Sequence, residues 1–407
     1  MGLCIKTDKH IYLQAGNREG KGTSWIIPNL LMYRGSAFVL DPKGENCRAT
    51  LRRRLQLNDI CHTLDPFGIT GKPPSRFNPL ATFTPENMER QSKSLALALV
   101  MGQPDKPRDF WTMSAQSLVA LAIKYVCTAP EIPPDHKDLV TVRNTLLGHL
   151  PQMLESCLHS EVADGSLADQ AQSFILTPER MYGDIVATAQ RETDILDEPA
   201  LRRSLAASGP GEEVHFADWH SKTMTVYLCL SAVHFAVYNR WLRLVLTSAL
   251  DEMTAVLAPP KLPVSFVLDE LATLGHLEAI ENAVGLAAGY GVQLVTVWQD
   301  IAQLKALYRQ RWASFIGNSG VKVLFGIEDV DSAKYWSDTI GQHQVETHSR
   351  QEDIFGLSKG GNTSERRVRL FCYDASNLST RLPLCPLLSS VFASSNQVQY
   401  GASHGHL

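Results

Sequence analysis

The sequence predicts an α/β protein whose parallel central sheet is interrupted by an all-helical insertion. Three observations lead there. Residues 1–84 repeat one device, a short apolar run ending in a polar loop with Gly or Pro: "IYLQAG", "SAFVLDPKGE" and "CHTLDPFG". Buried parallel strands read this way, with working residues at their carboxyl ends. From about residue 85 to 205 no strand candidate occurs. Strand-like runs then return in the last third, so the sheet draws on both sides of the helical stretch.

Taken in order, helix-length segments separate the first three strands: "KGTSWIIPNLLMYRG" after the first and "ENCRATLRRRLQLND" after the second. Helix-like spans follow at 86–101, 109–128, 138–158, 166–176 and 178–197, with proline-rich "TAPEIPPDHKD" (128–138) between two of them. The returning strands are "MTVYLCLS" (224–231), "VSFVLDE" (264–270), "VQLVTVWQ" (292–299) and "VKVLFG" (321–326), alternating with helices that include 234–257 and 276–288. The stretch from about 350, rich in Ser, Asn and Gly, carries no clear pattern.

Composition narrows the class. The chain has 407 residues, 44% hydrophobic and 20% charged, as in ordinary globular proteins. A net charge of −4 means that any nucleic-acid surface must be local. Eight scattered cysteines without a CxxC pair suit reduced, buried thiols rather than a disulfide or zinc framework. The thirteen histidines form no HExxH-like pair, so no structural metal is expected. No signal peptide is visible, and no window approaches ~18 apolar residues, which predicts a chain soluble on its own.

The candidate site begins at "QAGNREGKGTSW" (14–25). A phosphate-binding loop, G-x-x-x-x-G-K-[ST], wraps phosphate oxygens with backbone N–H groups and a helix N-terminus, while its lysine neutralises charge. Here Gly16, Asn17, Arg18, Glu19, Gly20, Lys21, Gly22 and Thr23 would form the cradle, with permissive backbone at Gly16 and Gly20 and the charge at Lys21. Two fingerprint positions differ. Ala15 stands for the first glycine, and Gly22 for the Ser/Thr whose hydroxyl reaches Mg²⁺, leaving Thr23 as the nearest substitute. By itself the stretch also fits a glycine turn capped by a solvated lysine.

In "PVSFVLDELATLG" an apolar strand ends in two acids. Asp269 would hold Mg²⁺ and Glu270 would polarise the attacking water; the other reading is an acidic helix cap. Gln299, at the end of "VQLVTVWQ", reads by itself as a surface residue; in series with Lys21 and the two acids it would contact the γ-phosphate or the catalytic water.

With these residues in view, the chain resembles a family. "EGKGTSWIIPNLL", "FVLDPKGE", "RFNPL", "FWTMSAQSL", "TVYLCLS", "VLDELATLG", "GYGVQLVTVWQDIAQLKALY" and "NSGVKVLFG" resemble, in order, the motifs of type IV secretion coupling proteins of the TraG/TraD kind. GKG in place of GK[ST] is usual there. The resemblance implies a RecA-like P-loop ATPase domain with a mostly parallel sheet, in two parts (1–84 and 206–345), an all-α insertion domain (85–205) and a divergent tail (346–407). It implies ATP and Mg²⁺ as cofactors and a ring of six subunits. It also implies DNA, relaxase or effector proteins and secretion-channel components as partners, at the cytoplasmic face of the bacterial inner membrane. Carried over, Lys21 and Thr23 hold nucleotide, Asp269 and Glu270 serve metal and water, and Gln299 senses phosphate.

The chain departs from the family in three ways. The family usually begins with membrane-spanning helices, which are not seen here. Relatives often carry a trans-acting arginine where this chain has Ala288; Arg311 and Arg350 are the alternatives. The family's "RPLL"-like continuation is not recognisable after the last sheet strand. Two further features have competing readings. Arg48, Arg52, Arg53 and Arg54 share one helix, as a solvated face or a DNA or subunit contact. Phe110 and Trp111 head an apolar helix, better read as core of the helical domain than as a partner groove. Beside a coupling ATPase stand two other functions: a non-hydrolysing substrate receptor on the same fold, and another RecA-like DNA translocase.

Overall fold

The structure, a computed structural model, describes residues 7–102, 109–162 and 165–340 and the strands within 343–348, 363–368 and 390–393. Its centre is an eight-stranded sheet. In chain order the strands are β1 (His10–Ala15), β2 (Ala37–Leu40), β3 (Ile60–Leu64), β4 (Met224–Leu228), β5 (Val264–Leu268), β6 (Val292–Trp298) and β7 (Ser319–Phe325). Two strands, β8 (His343–His348) and β9 (Thr363–Val368), pair with each other, and β10 (Ser390–Ala393) closes one sheet edge. The sheet order is β10-β7-β1-β6-β5-β2-β4-β3, all parallel except antiparallel β10. Strands β2, β4, β5 and β6 are buried at every residue, the burial that a sheet covered on both faces imposes. The apolar runs therefore mark the strands well. Their polar ends do not belong to them: Asp269, Glu270 and Gln299 lie just past the last strand residue, and the 224–231 run stops at Leu228.

Alternation along the strands divides the core. Leu13, Ala15, Val39, Val267 and Val297 face one layer with Ile26, Leu30 and Cys47, contributed by α1 (Ile27–Met32) and its preceding turn Gly22–Ile26, and by α2 (Glu45–Gln56). Tyr12, Phe38, Leu40 and Phe266 face the opposite layer, which is continuous with the helical stretch.

Between β3 and β4 the described residues contain helices only: α3 (Met88–Leu99), α4 (Phe110–Thr128), α5 (Leu139–Gly148), α6 (Leu150–Leu158), α7 (Ser166–Ile175), α8 (Glu179–Glu192) and α9 (Pro199–Leu205), with short 3₁₀ turns. The predicted 138–158 helix is two helices, because His149 leaves helical geometry (φ −127°) and Pro151 removes a backbone donor in the next turn. The predicted 178–197 helix ends at Glu192 and continues as the 3₁₀ turn Asp194–Asp197. Entry and exit are stapled together. Arg76 pairs with Glu213 at 2.8 Å and donates to the Ala207 carbonyl, and Phe77 N–H donates to the Ser204 carbonyl.

Two readings need correction. Phe110 and Trp111 are 51% and 38% exposed, so these two residues are not core; the buried face of α4 begins at Thr112 and includes Ala115, Leu118, Val119 and Ile123. The four arginines of α2 do not form one surface, because Arg54 is fully buried and ion-paired to Asp59, while Arg48, Arg52 and Arg53 are exposed. Of the cysteines, Cys47, Cys157 and Cys229 are buried free thiols, whereas Cys61 and Cys127 are half-buried; Cys4, Cys372 and Cys385 lie outside the described residues.

After β4 come α10 (Ala232–Ala255), α11 (Glu278–Leu286), α12 (Ile301–Tyr308), α13 (Trp312–Gly317) and α14 (Val330–Ile340). Among the described residues no helix is long and apolar enough to cross a membrane.

Candidate nucleotide-binding site

β1 carries the chain to Ala15, and the loop Gly16–Lys21 then turns into the helical segment that opens at Gly22. Ala15 is the last residue of β1, fully buried and paired in register with Phe325. The departure from the fingerprint therefore falls inside the strand, where a small core residue suffices. The loop reverses through two left-handed residues, Arg18 (φ 66°) and Gly20 (φ 78°), the second at no steric cost. The Glu19 side chain lies against Gly326: a Cβ there would come within 2.4 Å of the Glu19 carboxyl. The Thr23 hydroxyl donates to the Gly20 carbonyl at 3.2 Å.

The sheet order brings the other candidates to this loop. Lys21 Nζ lies 2.8 Å from Asp269 Oδ1 and 3.7 Å from Glu270 Oε1, with its side chain only 17% exposed. β6 runs between β1 and β5, so Gln299 stands at the same sheet edge, between the loop and the two acids. The Gln299 N–H donates to Gln303 Oε1 at 3.1 Å, and Asp300 caps α12 by accepting from the Gln303 amide at 2.6 Å. The acidic pair is no helix cap. Glu270 precedes the 3₁₀ turn Leu271–Leu274 without a side-chain cap bond, in a left-handed conformation (φ 60°, ψ 36°).

The arrangement includes one further carboxylate, Asp41 of "SAFVLDPKGE". Leu40 and Leu268 are register partners on β2 and β5, so Asp41 sits beside Asp269 at the sheet edge. Asp41 is 1% exposed and accepts from the Cys47 N–H at 2.8 Å, at the start of α2. Burial pushes its carboxyl above the usual range; the Cys47 and Asn46 amides oppose the shift, and the Asp269 charge adds to it. The available signal was its position, an acid directly after the apolar run "AFVL".

Of the remaining candidates, Ala288 is exposed in the turn Ala287–Tyr290. Arg311 is 64% exposed and pairs with Glu281 at 3.0 Å, and Arg350 lies outside the described residues.

The donor set suits a magnesium polyphosphate. Among the described residues no group of three or more His, Cys, Asp or Glu side chains could hold a metal alone. One carboxylate and one hydroxyl beside a lysine-bearing loop match Mg²⁺, which is usually held by one or two carboxylates, water and substrate phosphates.

A parallel sheet with this strand order, a glycine loop after β1 and acids after β5 define a RecA-like P-loop protein. The chain belongs to the type IV secretory system conjugative DNA transfer family, whose model matches residues 2–371. This is the family of type IV coupling proteins that its motifs resemble. It is 26% identical over 351 residues to Protein VirD4 of Rhizobium radiobacter, covering 84% of this chain and 49% of that protein. It is likewise 26% identical over 351 residues to the conjugal transfer protein TraG of Agrobacterium fabrum, covering 83% of this chain and 51% of that protein. The chain thus spans about half the length of the curated relatives it matches. Among solved structures, the unbound bacterial conjugative coupling protein TrwBdeltaN70 aligns with a TM-score of 0.62 at 13% identity, covering 88% of this chain and 77% of that one. The plasmid coupling protein TrwB in complex with ADP and Mg²⁺ aligns with a TM-score of 0.57 at 15% identity, covering 83% and 75%.

Proposed function

We propose that this chain is the ATPase part of a type IV coupling protein, which brings DNA–relaxase complexes or effector proteins to a secretion channel and uses ATP hydrolysis to drive their transfer. The observation that carries this reading is the convergence of Lys21 with Asp269 and Glu270, from loops after β1 and β5, in a chain of this family. Lys21 and the backbone of Gly16–Thr23 bind the phosphates. Asp269 and Thr23 hold Mg²⁺, Glu270 takes a proton from the attacking water, and Gln299 reports the γ-phosphate. The helices between β3 and β4 form a separate insertion domain, subunits assemble as a ring of six, and the whole protein works at the inner membrane. TrwB, the structural neighbour, is known with ADP and Mg²⁺, which supports the choice of cofactor.

The test is steady-state ATP turnover with and without single-stranded DNA, beside Glu270→Gln. DNA-stimulated turnover in the parent, absent from Glu270→Gln while nucleotide still binds, is the expected result. A second reading, a receptor that binds nucleotide without hydrolysing it, draws on exposed Ala288 standing where relatives often carry an arginine. No turnover in the parent at any DNA or protein concentration would select the receptor.

A further inference from the structure

We propose that Arg243, on α10, is a positioning residue for Glu270, acting through the turn that joins β5 to α11. The inference rests on the reading of Glu270 as the group that activates water.

Successive residues of an extended strand point to opposite faces. Asp269 and Glu270 therefore cannot both reach one lysine while β5 continues, yet Lys21 Nζ is 2.8 Å from the first carboxylate and 3.7 Å from the second. The chain meets this demand by leaving strand geometry at once: Glu270 is left-handed, a conformation that a long side chain seldom adopts. Such a residue persists only where its surroundings over-determine it. Here the Glu270 carbonyl accepts from the Thr273 N–H at 3.0 Å and from its hydroxyl at 2.7 Å. Leu271, Leu274 and Leu277 bury the turn, and Gly275 (φ 69°) makes a second reversal.

Arg243 holds that second reversal. It is 7% exposed, and its Nη1 donates to the Leu274 carbonyl at 3.0 Å and the His276 carbonyl at 2.6 Å, one on each side of Gly275. His276 is fixed from the other side, with Nε2 2.6 Å from Glu281 Oε2. These bonds to the turn go to backbone carbonyls, so through them the guanidinium sets the path of the chain. Without it the turn can relax at Gly275, and Glu270 can leave its left-handed conformation and swing off the P-loop. Asp269, directly after the strand end, would stay. Hydrolysis should suffer while nucleotide binding survives.

The experiment measures kcat and KM for ATP, and the affinity of a fluorescent ADP analogue, for Arg243→Gln, Arg243→Lys and Gly275→Ala in the full chain. Gly275→Ala strikes the same turn from the other end; its Cβ enters open space, so it acts through backbone strain alone and covers the case in which Arg243→Gln does not fold. We expect kcat to fall about 10- to 100-fold in Arg243→Gln and Gly275→Ala, as misplacement of a catalytic group by about 1 Å does. Affinity for the ADP analogue should stay within about twofold, and Arg243→Lys should recover part of kcat. Unchanged kcat in a folded Gly275→Ala, or kcat and nucleotide affinity falling together, overturns the proposal. If the parent turns over ATP no faster than Glu270→Gln, the reading of Glu270 fails and the positioning role fails with it. If that pair differs as expected and Arg243→Gln matches the parent, only the positioning role falls.

Discussion

Arg54→Met tests whether the basic run on α2 is one surface or two environments. Arg54 and Asp59 are 0% and 1% exposed in their side chains and pair at 2.5 Å. Arg54 Nε donates to the Thr225 hydroxyl at 2.9 Å, and that hydroxyl donates to Asp59 at 2.9 Å. The guanidinium also donates to the carbonyls of Leu30, Tyr33 and Gly35, tying the segment after α1 to α2 and β4. Methionine fills much of the volume but leaves Asp59 buried without its cation. Breaking a buried pair from one side costs about 3–5 kcal/mol, a large fraction of the ~5–15 kcal/mol that holds a folded domain together. At a urea slope of about 3 kcal/mol per M, the midpoint should fall by more than about 1 M, followed by tryptophan fluorescence. The deficit should depend on pH. Burial raises the Asp59 carboxyl above the usual carboxylate range, against the pull of Arg54 and Thr225. An acid with a raised folded pKa stabilises most below its unfolded pKa and loses that contribution as pH rises through the folded one. Removing Arg54 raises the folded pKa further, so the penalty is full at neutral pH and shrinks as acid protonates Asp59. Adding Asp59→Asn to Arg54→Met should recover much of the loss at neutral pH. A single variant within about 1 kcal/mol of the parent, or a penalty independent of pH, would refute the reasoning.

Three further outcomes are expected. Lys21→Ala should weaken ATP binding by at least about a hundredfold, since a charge-assisted contact of roughly 3 kcal/mol to the phosphates is lost; equal affinity in a titration with labelled nucleotide would remove the P-loop assignment. Glu270→Gln should bind nucleotide normally and turn over at less than about one hundredth of the parent rate, because an amide cannot take the water's proton; unchanged turnover would reduce the acidic pair to structure. Specific activity should rise with protein concentration if a neighbouring subunit completes the site, and Arg311→Ala, which breaks the 3.0 Å pair with Glu281, should flatten that rise if Arg311 is the group supplied. Activity proportional to monomer and indifferent to Arg311→Ala would leave a self-contained site.

The sequence alone determined the parts that are written locally. A parallel strand buried on both faces is a near-continuous apolar run, so "SAFVL", "VSFVL" and "VQLVTVW" announce β2, β5 and β6, and the polar residues after them mark the sheet edge where the candidate site lies. The loop around Lys21 and the acids Asp269 and Glu270 were legible for the same reason: each is a short motif whose chemistry depends on its own spacing. Tertiary structure decided what depends on neighbours far along the chain. Insertion of β6 between β1 and β5 brings Gln299 to the sheet edge that carries Lys21 and the two acids, and the β2–β5 register sets Asp41 against Asp269. Nothing local separates Arg54 from Arg52 and Arg53. Only the packing of α2 against β4 turns one arginine into the core and leaves the others in water. The left-handed backbone of Glu270, and the Arg243 bonds to the Leu274 and His276 carbonyls later in the same turn, were equally hidden. That strain is imposed by two carboxylates having to meet one lysine across a sheet, a demand that exists only once the strands are side by side.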